Sequence, residues 1–141
     1  MVLPPGLSGR IVANMQTPPP AGSPFIITVP AGRIWWVLAV RFDLVTSAAA
    51  TTRHAVIGSY LRNLRNAVIA LFPATQGASA SITYFATYLG PTTAPAGSPF
   101  IGTTLPYLVV YPGENIEIRV FNMNAADQIT NILLAYVEYV L

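Results

Sequence analysis

The sequence contains no cysteine and no lysine, and it has a single histidine, His54. Without cysteine, neither a disulfide nor a thiolate metal site can form. Cysteine usage therefore does not indicate whether the protein works in an oxidising or a reducing compartment. Nitrogen and oxygen ligands for a metal are poorly represented as well, because one histidine makes no cluster and no acidic calcium-binding loop occurs. We therefore expect no metal and no cofactor.

Charge is scarce: charged residues make up 9% of the 141 residues, and the formal net charge is +2. All seven cations are arginines, of which Arg62 and Arg65 are the closest in sequence. One such pair does not make the basic patch that neutralises a nucleic-acid backbone, so we expect no nucleic-acid partner. A free soluble monomer normally keeps more surface charge, which indicates that another chain covers much of the exterior. A monomer with a poorly charged surface is the alternative.

Long apolar runs are also missing. The uninterrupted apolar run over residues 34–40 is too short to cross a bilayer, so we expect no transmembrane segment and no membrane partner. The first residues contain no basic segment followed by an apolar one, which argues against a signal peptide. A chain of this kind that acts outside the cell would leave by lysis or as part of a particle.

Residues suited to catalysis are few. His54 lies beside an arginine on a predicted strand, and the sequence has no nucleophile elbow of the G-x-S-x-G type. The five acidic residues include Asp43 and Glu117, which could lie on neighbouring strands as a glycosidase pair. Arg41 and Arg119 are placed to form ion pairs with them instead. We therefore predict that the protein is not an enzyme.

Aromatic and β-branched residues concentrate in residues 30–46, which predicts a long central strand. Every even position over residues 34–44 is apolar, whereas the odd positions include charged residues. Because successive side chains of a strand point to opposite faces, we expect the even set, including Trp36, to line the core. Trp35 on the odd face is then available to a surface ligand.

Short alternating segments separated by proline and glycine turns continue to the end of the chain, and no amphipathic helix occurs. About eight strands of this kind predict an all-β fold, an antiparallel β-sandwich of jelly-roll-like topology. Residues 20–28 and 95–103 share the pattern P-A-G-S-P-F-I-x-T, which suits two similar halves or is a coincidence of composition. Residues 61–66 fit a helical turn or a bend. We predict a single sandwich domain over residues 23–141.

Residues 1–22 are rich in proline and glycine, which disfavour a helix or an interior strand. We predict an extended N-terminal arm, in which residues 10–14 could pair briefly at a sheet edge. The arm either docks onto a neighbouring subunit or is a flexible terminus. The candidate contacts to a capsid are Pro4, Pro5, Arg10, Ile11, Pro18 and Pro19.

The last predicted strand, residues 128–140, is apolar on both faces. A strand that is apolar on both sides is buried on both sides, and in a sandwich only one of the two sides is the core. The other side is predicted to meet a neighbouring subunit. The candidate subunit-interface residues are Ile129, Leu133, Ala135 and Val137.

Two tryptophans and seven tyrosines could also form a platform for a carbohydrate. The candidates for such a surface are Trp35, Tyr107 and Tyr111, of which the two tyrosines lie near proline turns. A glycan is therefore an alternative partner.

Three short motifs follow one another along the chain: V-P-A-G-x-x-W at residues 29–35, P-G-x-x-I at residues 112–116 and A-x-D-Q at residues 125–128. In this order they resemble small β-sandwich structural proteins of tailed-phage virions, over residues 23–141. Proteins of this kind often form trimers on the capsid surface as decoration (cement) proteins, or they lie in tails and fibres.

The resemblance implies a non-enzymatic virion protein on the surface of a phage particle. It implies a homotrimer whose partners are the major capsid protein or other virion proteins, and it carries over no catalytic residue. A receptor- or carbohydrate-binding module of a tail or fibre is the alternative.

Overall fold

The computed structural model describes residues 8–61, 64–93 and 99–141, with the side chains of residues 60–67 left out. Every regular secondary-structure element in these ranges is a β-strand, so the predicted all-β class is confirmed. The ten strands are β1 (Gly9–Met15), β2 (Phe25–Thr28), β3 (Arg33–Val45), β4 (His54–Leu61), β5 (Leu64–Leu71), β6 (Ser81–Tyr88), β7 (Phe100–Leu105), β8 (Leu108–Val110), β9 (Asn115–Phe121) and β10 (Gln128–Val140).

The ten strands form two sheets. Six strands make one sheet in the order β1-β10-β3-β6-β7, with β8 paired to β3, and the other four follow the order β2-β9-β4-β5. The described neighbours are antiparallel, except that β6 and β7 run parallel. Buried residues of both sheets belong to one core, so the molecule is a β-sandwich.

Aromatic rings form the centre of this core. Phe42 of β3 stacks on Tyr84 of β6 with ring centroids 5.1 Å apart, and both rings meet Phe72 edge-on. Ring pairs of this geometry add to the stabilisation that burial provides. The Tyr84 hydroxyl donates a hydrogen bond to Gln76 (3.1 Å), and burial raises the pKa of Tyr84 to about 12. Ring packing and this hydrogen bond therefore fix the arrangement of side chains at the centre of the sandwich.

A bulge in β3 changes which residues of this strand face the core. Ala39 pairs with Ala135 of β10, and Val37 pairs with the next residue, Tyr136, so that Leu38 is an extra residue on β3. An extra residue reverses the alternation of side chains, because two residues of one strand then oppose one residue of the other.

The expected core face is therefore correct after the bulge, whereas before it the odd positions Trp35 and Val37 belong to the core cluster. The even positions 40, 42 and 44 are fully buried, as predicted. Before the bulge, Trp35 is 4% exposed and stacks on Tyr136 with ring centroids 4.1 Å apart. Trp36 lies on the opposite, outer face of the sheet. The prediction that Trp35 is available to a surface ligand is thus wrong.

A second bulge interrupts β10. The register with β3 shifts between Thr130 and Leu133, so three steps along β10 match two steps along β3. Asn131 within this bulge has a φ of +49°, a left-handed conformation that asparagine adopts more readily than most residues. Ile129 is consequently 1% exposed and belongs to the core, whereas Leu133 lies on the outer face. The expectation that Ile129 lies at a subunit interface is therefore wrong.

The remaining strands agree with one expectation and differ from the expected set elsewhere. The brief edge pairing expected for residues 10–14 is confirmed, because β1 pairs with β10. β4 and β5 extend into residues 61–66, where a helical turn or a bend was expected, while residues 62 and 63 lie outside the described ranges. Residues 100–110 form two strands, β7 and β8. The described chain therefore has ten strands rather than about eight.

A buried ion pair fastens the loops at one end of the sandwich. The Arg53 guanidinium donates two hydrogen bonds to the Asp127 carboxylate, at 2.8 and 3.0 Å, and both side chains are fully buried. The other three N–H groups of Arg53 donate to Ser47 Oγ and to two carbonyl oxygens of residues 49–51. The carboxylate also accepts the N–H groups of Ser47 and Asn124. The loop between β3 and β4 and the loop between β9 and β10 are thereby held together by one saturated pair.

The charge of Asp127 depends on these partners. Burial by itself would raise the pKa of Asp127, but the hydrogen bonds from Arg53, Ser47 and Asn124 outweigh burial and hold this pKa well below its usual range. The carboxyl group therefore stays ionised in the folded protein.

Asp127→Asn should lower the free energy of unfolding at pH 7 by about 3–5 kcal/mol, because it leaves the Arg53 charge buried without its partner. A carboxylate whose pKa is lowered by folding stabilises the protein above its unfolded pKa of about 4, and this contribution is lost as the pH falls toward the folded pKa. The difference between wild type and variant should therefore shrink below about pH 5. Urea unfolding at a series of pH values measures it.

Asp43→Asn is the matched control, since Asp43 is partly exposed and accepts hydrogen bonds from two uncharged side chains, Thr83 and Asn131, so that no buried cation loses its partner. It should cost less than about 1.5 kcal/mol. Similar losses in the two variants would contradict the role assigned to the buried pair.

Candidate interaction surface

The outer face of the six-stranded sheet is largely apolar over β1 and β10, although it points away from the core. At its middle Ala13, Ala135 and Ala39 lie side by side on β1, β10 and β3, because paired residues of adjacent strands point to the same face. Alanine side chains rise little above the backbone, so the three form a shallow trough. We name the surface the outer sheet face. It comprises Ile11, Ala13, Met15, Trp36, Ala39, Arg41, Asp43, Thr83, Phe85, Thr87, Thr130, Leu133, Ala135 and Val137.

Larger apolar side chains flank the alanine row on both sides. Met15, Leu133 and Phe85 lie in the row on one side, where Arg41 stands between Leu133 and Phe85. Ile11 and Val137 lie in the row on the other side. At the open edge of the sheet, Ile11 is 77% and Met15 is 63% exposed. A contiguous apolar surface of this kind is typical of an interaction site.

Arg41 and Asp43 are the charged side chains of the outer sheet face. Asp43 accepts hydrogen bonds from Thr83 Oγ1 (2.6 Å) and from Asn131 Nδ2 (2.7 Å). The predicted ion pair of Arg41 with an acidic residue does not occur among the residues that the structure describes. The face therefore carries little net charge that would repel a second copy of itself.

A buried carboxylate fastens the edge strand β1 to the sandwich. Glu138 of β10 is 7% exposed and accepts hydrogen bonds from Arg10 Nε (3.2 Å), from Arg10 Nη2 (2.9 Å) and from Trp35 Nε1 (3.1 Å). Burial by itself would raise the pKa of Glu138, but the hydrogen bonds from Arg10 and Trp35 outweigh it and lower this pKa. The ionised carboxylate thus ties β1 to the core tryptophan.

An aromatic cluster lies beside the outer sheet face. The ring of Trp36 has its centroid 5.4 Å from that of Tyr88 and 5.5 Å from that of Tyr107, and the two tyrosine rings are 6.1 Å apart. Tyr107 is half exposed. The indole Nε1 of Trp36 is buried without a hydrogen-bond partner. Such a cluster can stack against a flat ligand.

The structure separates the predicted site residues into three groups. Leu133, Ala135 and Val137 share the outer sheet face, as expected, whereas Ile129 lies in the core. Tyr107 joins Trp36 rather than the buried Trp35, and Tyr111 lies in the turn between β8 and β9. Of the predicted arm contacts, Arg10 and Ile11 belong to β1, Pro18 and Pro19 to the segment before β2, and Pro4 and Pro5 lie outside the described residues.

Groups suited to catalysis do not converge in the described ranges. His54 donates from Nε2 to the Phe72 carbonyl oxygen at 2.9 Å, which is a structural contact. Asp43 and Glu117, considered above as a glycosidase pair, lie on different sheets, and Glu117 pairs with Arg119 at 2.9 Å. Within residues 8–61, 64–93 and 99–141, no three histidine or acidic side chains come together as a metal site.

A cleft of about 220 Å³ lies beside the ends of β2 and β9. Its lining consists of Gly22, Pro24, Arg119, Val120, Phe121 and Met123. These residues include no carboxylate, imidazole or hydroxyl group, so the cleft offers no general acid or base.

Comparison of the chain with protein-family models, with curated proteins and with solved structures finds no match. Across the described residues there is also no helix that is long and apolar enough to cross a membrane. The outer sheet face, with its trough of alanines and its low charge, is therefore the strongest candidate site.

Glu138→Gln should loosen β1 without unfolding the sandwich, because it removes the charge to which Arg10 donates. A hydrogen bond to a charged group contributes about 1.5–3 kcal/mol, so amide exchange over residues 9–15 should accelerate by about tenfold or more. Hydrogen–deuterium exchange with mass spectrometry measures this rate. Glu117→Gln, which removes the acidic partner of Arg119 in the other sheet, should leave β1 unchanged. An unaltered exchange rate of β1 in Glu138→Gln would contradict the assignment.

Proposed function

We propose that this protein is a non-enzymatic structural protein of a bacteriophage virion, a capsid decoration (cement) protein that assembles as a homotrimer on the head surface. The observation that carries the assembly is the outer sheet face, an exposed apolar surface with a flat trough at its centre. The virion location is supported by the ordered V-P-A-G-x-x-W, P-G-x-x-I and A-x-D-Q motifs described above.

The strand order supports a jelly-roll topology for the sandwich. Without β7 and β8, the six-stranded sheet reads β1-β10-β3-β6 and the facing sheet reads β2-β9-β4-β5. In a jelly roll the first strand likewise lies beside the last, and most successive strands alternate between the two sheets. The consecutive strands β4 and β5, which pair as a hairpin in one sheet, are the exception. Viral capsid proteins are among the proteins that use this architecture.

The mechanism is mechanical. The outer sheet faces of three copies pack together and close the trimer, while other surfaces and the N-terminal segment bind neighbouring capsid subunits. About 800 Å² per partner is enough for a specific protein contact. Each copy in the trimer makes its own weak contact to the major capsid protein. Once one copy is bound, the binding of the other two is intramolecular, so the trimer binds more tightly than a single copy. The trimer thereby stabilises the head without chemical catalysis.

Ala135→Arg should dissociate the trimer, because it places an unpaired charge in the middle of the trough. Such a charge costs about 3 kcal/mol or more when it is buried, so the dissociation constant should rise by about 100-fold or more. Light scattering coupled to size-exclusion chromatography measures the mass. Circular dichroism of each variant checks that the sandwich is folded.

Val68→Arg is the matched control, since Val68 is 47% exposed on the four-stranded sheet. This variant should remain a trimer. A wild-type protein that is monomeric over the whole concentration range, or an Ala135→Arg variant that remains a trimer, would contradict the proposed assembly.

Antibody to the protein should label phage heads in immunogold electron microscopy of the source particles. Gold spread over the head surface is expected for a decoration protein. Gold confined to the tail tip would contradict the decoration function and support a receptor-binding module of the tail. Unlabelled particles would rule out both functions.

The aromatic cluster favours a second candidate function, a receptor- or carbohydrate-binding module of a tail or fibre. Three rings within 6.1 Å of one another, one of them half exposed, can stack against a sugar. On this hypothesis Tyr107→Ala should weaken glycan binding by about tenfold or more, since a ring contact contributes about 1 kcal/mol beyond its buried area. Phe121→Ala, which truncates an exposed ring of the other sheet, is the control. Wild-type protein that binds no glycan on an array would exclude this function.

A further inference from the structure

β1 is attached to the sandwich along one side only. It is the edge strand of the six-stranded sheet and pairs with β10 over its whole length. Of its seven residues, only Val12 is partly buried. The attachment therefore consists of the β10 ladder, the Val12 side chain and the ion pair of Arg10 with Glu138.

The segment that joins β1 to β2, residues 16–24, contains four prolines, three of them consecutive. Gln16 donates its N–H to the Ile132 carbonyl oxygen (2.8 Å), and residues 17–20 are a threonine followed by three prolines. Prolines have no N–H group and hold themselves and the preceding residue in extended conformations. Residues 17–19 take part in none of the described backbone hydrogen bonds. Residues 17–19 can therefore carry β1 away from its own sandwich without breaking a backbone hydrogen bond of their own.

The edge of β10 is incomplete without a copy of β1. The buried carboxylate of Glu138 takes two of its hydrogen bonds from Arg10, and Val12 packs against the core. Without β1 the long strand β10 would also expose a ladder of unpaired N–H and C=O groups, which native proteins avoid. The β10 edge therefore has to pair with a β1 strand, and any copy of the chain can provide one.

We infer that β1 is exchanged between copies in the assembled protein, so that β1 of one copy pairs with β10 of the next copy in the register seen within a single chain. This inference rests on the proposed trimer. Exchange keeps every contact that β1 makes and in addition ties each copy to its neighbour. β1 forms one border of the outer sheet face, so a copy that packs on this face brings its own β10 edge close to the proline segment.

Engineered cysteines test the exchange directly, because the natural chain contains none. Ala13 of β1 and Ala135 of β10 are paired neighbours, so the double variant A13C/A135C can form a disulfide between β1 and whichever β10 it meets. The matched control is A39C/A135C, which joins β3 to the same position of β10 within the body of one sandwich. The single variants A13C and A135C detect disulfides that form at random between exposed cysteines.

Each purified full-length variant is oxidised as the intact assembly and examined by denaturing electrophoresis without reductant, alongside light scattering of the undenatured sample. Exchange predicts that A13C/A135C becomes a covalent trimer as its main species, whereas A39C/A135C and the single variants run as single chains. A trimer by light scattering with A13C/A135C running as single chains would overturn the exchange and leave the proposed assembly intact. A monomer by light scattering with an intrachain disulfide would overturn both.

Discussion

The pairing of β3 with β10 is the constraint on which the rest of the structure depends. Both strands have 13 residues, and each contains one bulge, at a different position along the strand pair. The bulge at Leu38 turns Trp35 into the core and Trp36 out of it, while the bulge at Asn131 places Ile129 in the core and Leu133 outside. Between the two bulges Ala39 and Ala135 lie opposite each other, and Ala13 of β1 completes their row. The same pairing thus builds the core and the outer sheet face.

The acidic side chains of the chain all take part in interactions within the sandwich. Each of the five acidic side chains has a partner: Asp43 binds Thr83 and Asn131, Glu114 binds the Tyr111 N–H, Glu117 pairs with Arg119, Asp127 with Arg53 and Glu138 with Arg10. No acid is left as a free surface charge. The exterior therefore has little electrostatic repulsion to keep copies apart, which agrees with a protein that works as part of an assembly.

The sequence predicts those elements whose side chains alternate clearly. In β9, Ile116 and Ile118 face the core and alternate with Glu117 and Arg119. In β3 the residues around position 38 are apolar on both sides, so their pattern contains no sign of the bulge, which depends on the register with β10. The Trp36 cluster and the ion pair of Arg53 with Asp127 join residues far apart in the chain, and only the topology brings them together.

Hydroxyl-radical footprinting of the assembled particle is the most direct test of the central claim, that the outer sheet face is covered by other copies of the chain. Met15 and Ile11 on this face are well exposed in a single chain, as is Phe121 on the opposite sheet. The account predicts that Met15 and Ile11 are oxidised far more slowly in the particle than in dissociated chains. Equal oxidation of Met15 and Ile11 in the two states, with protection confined to the opposite sheet, would contradict it.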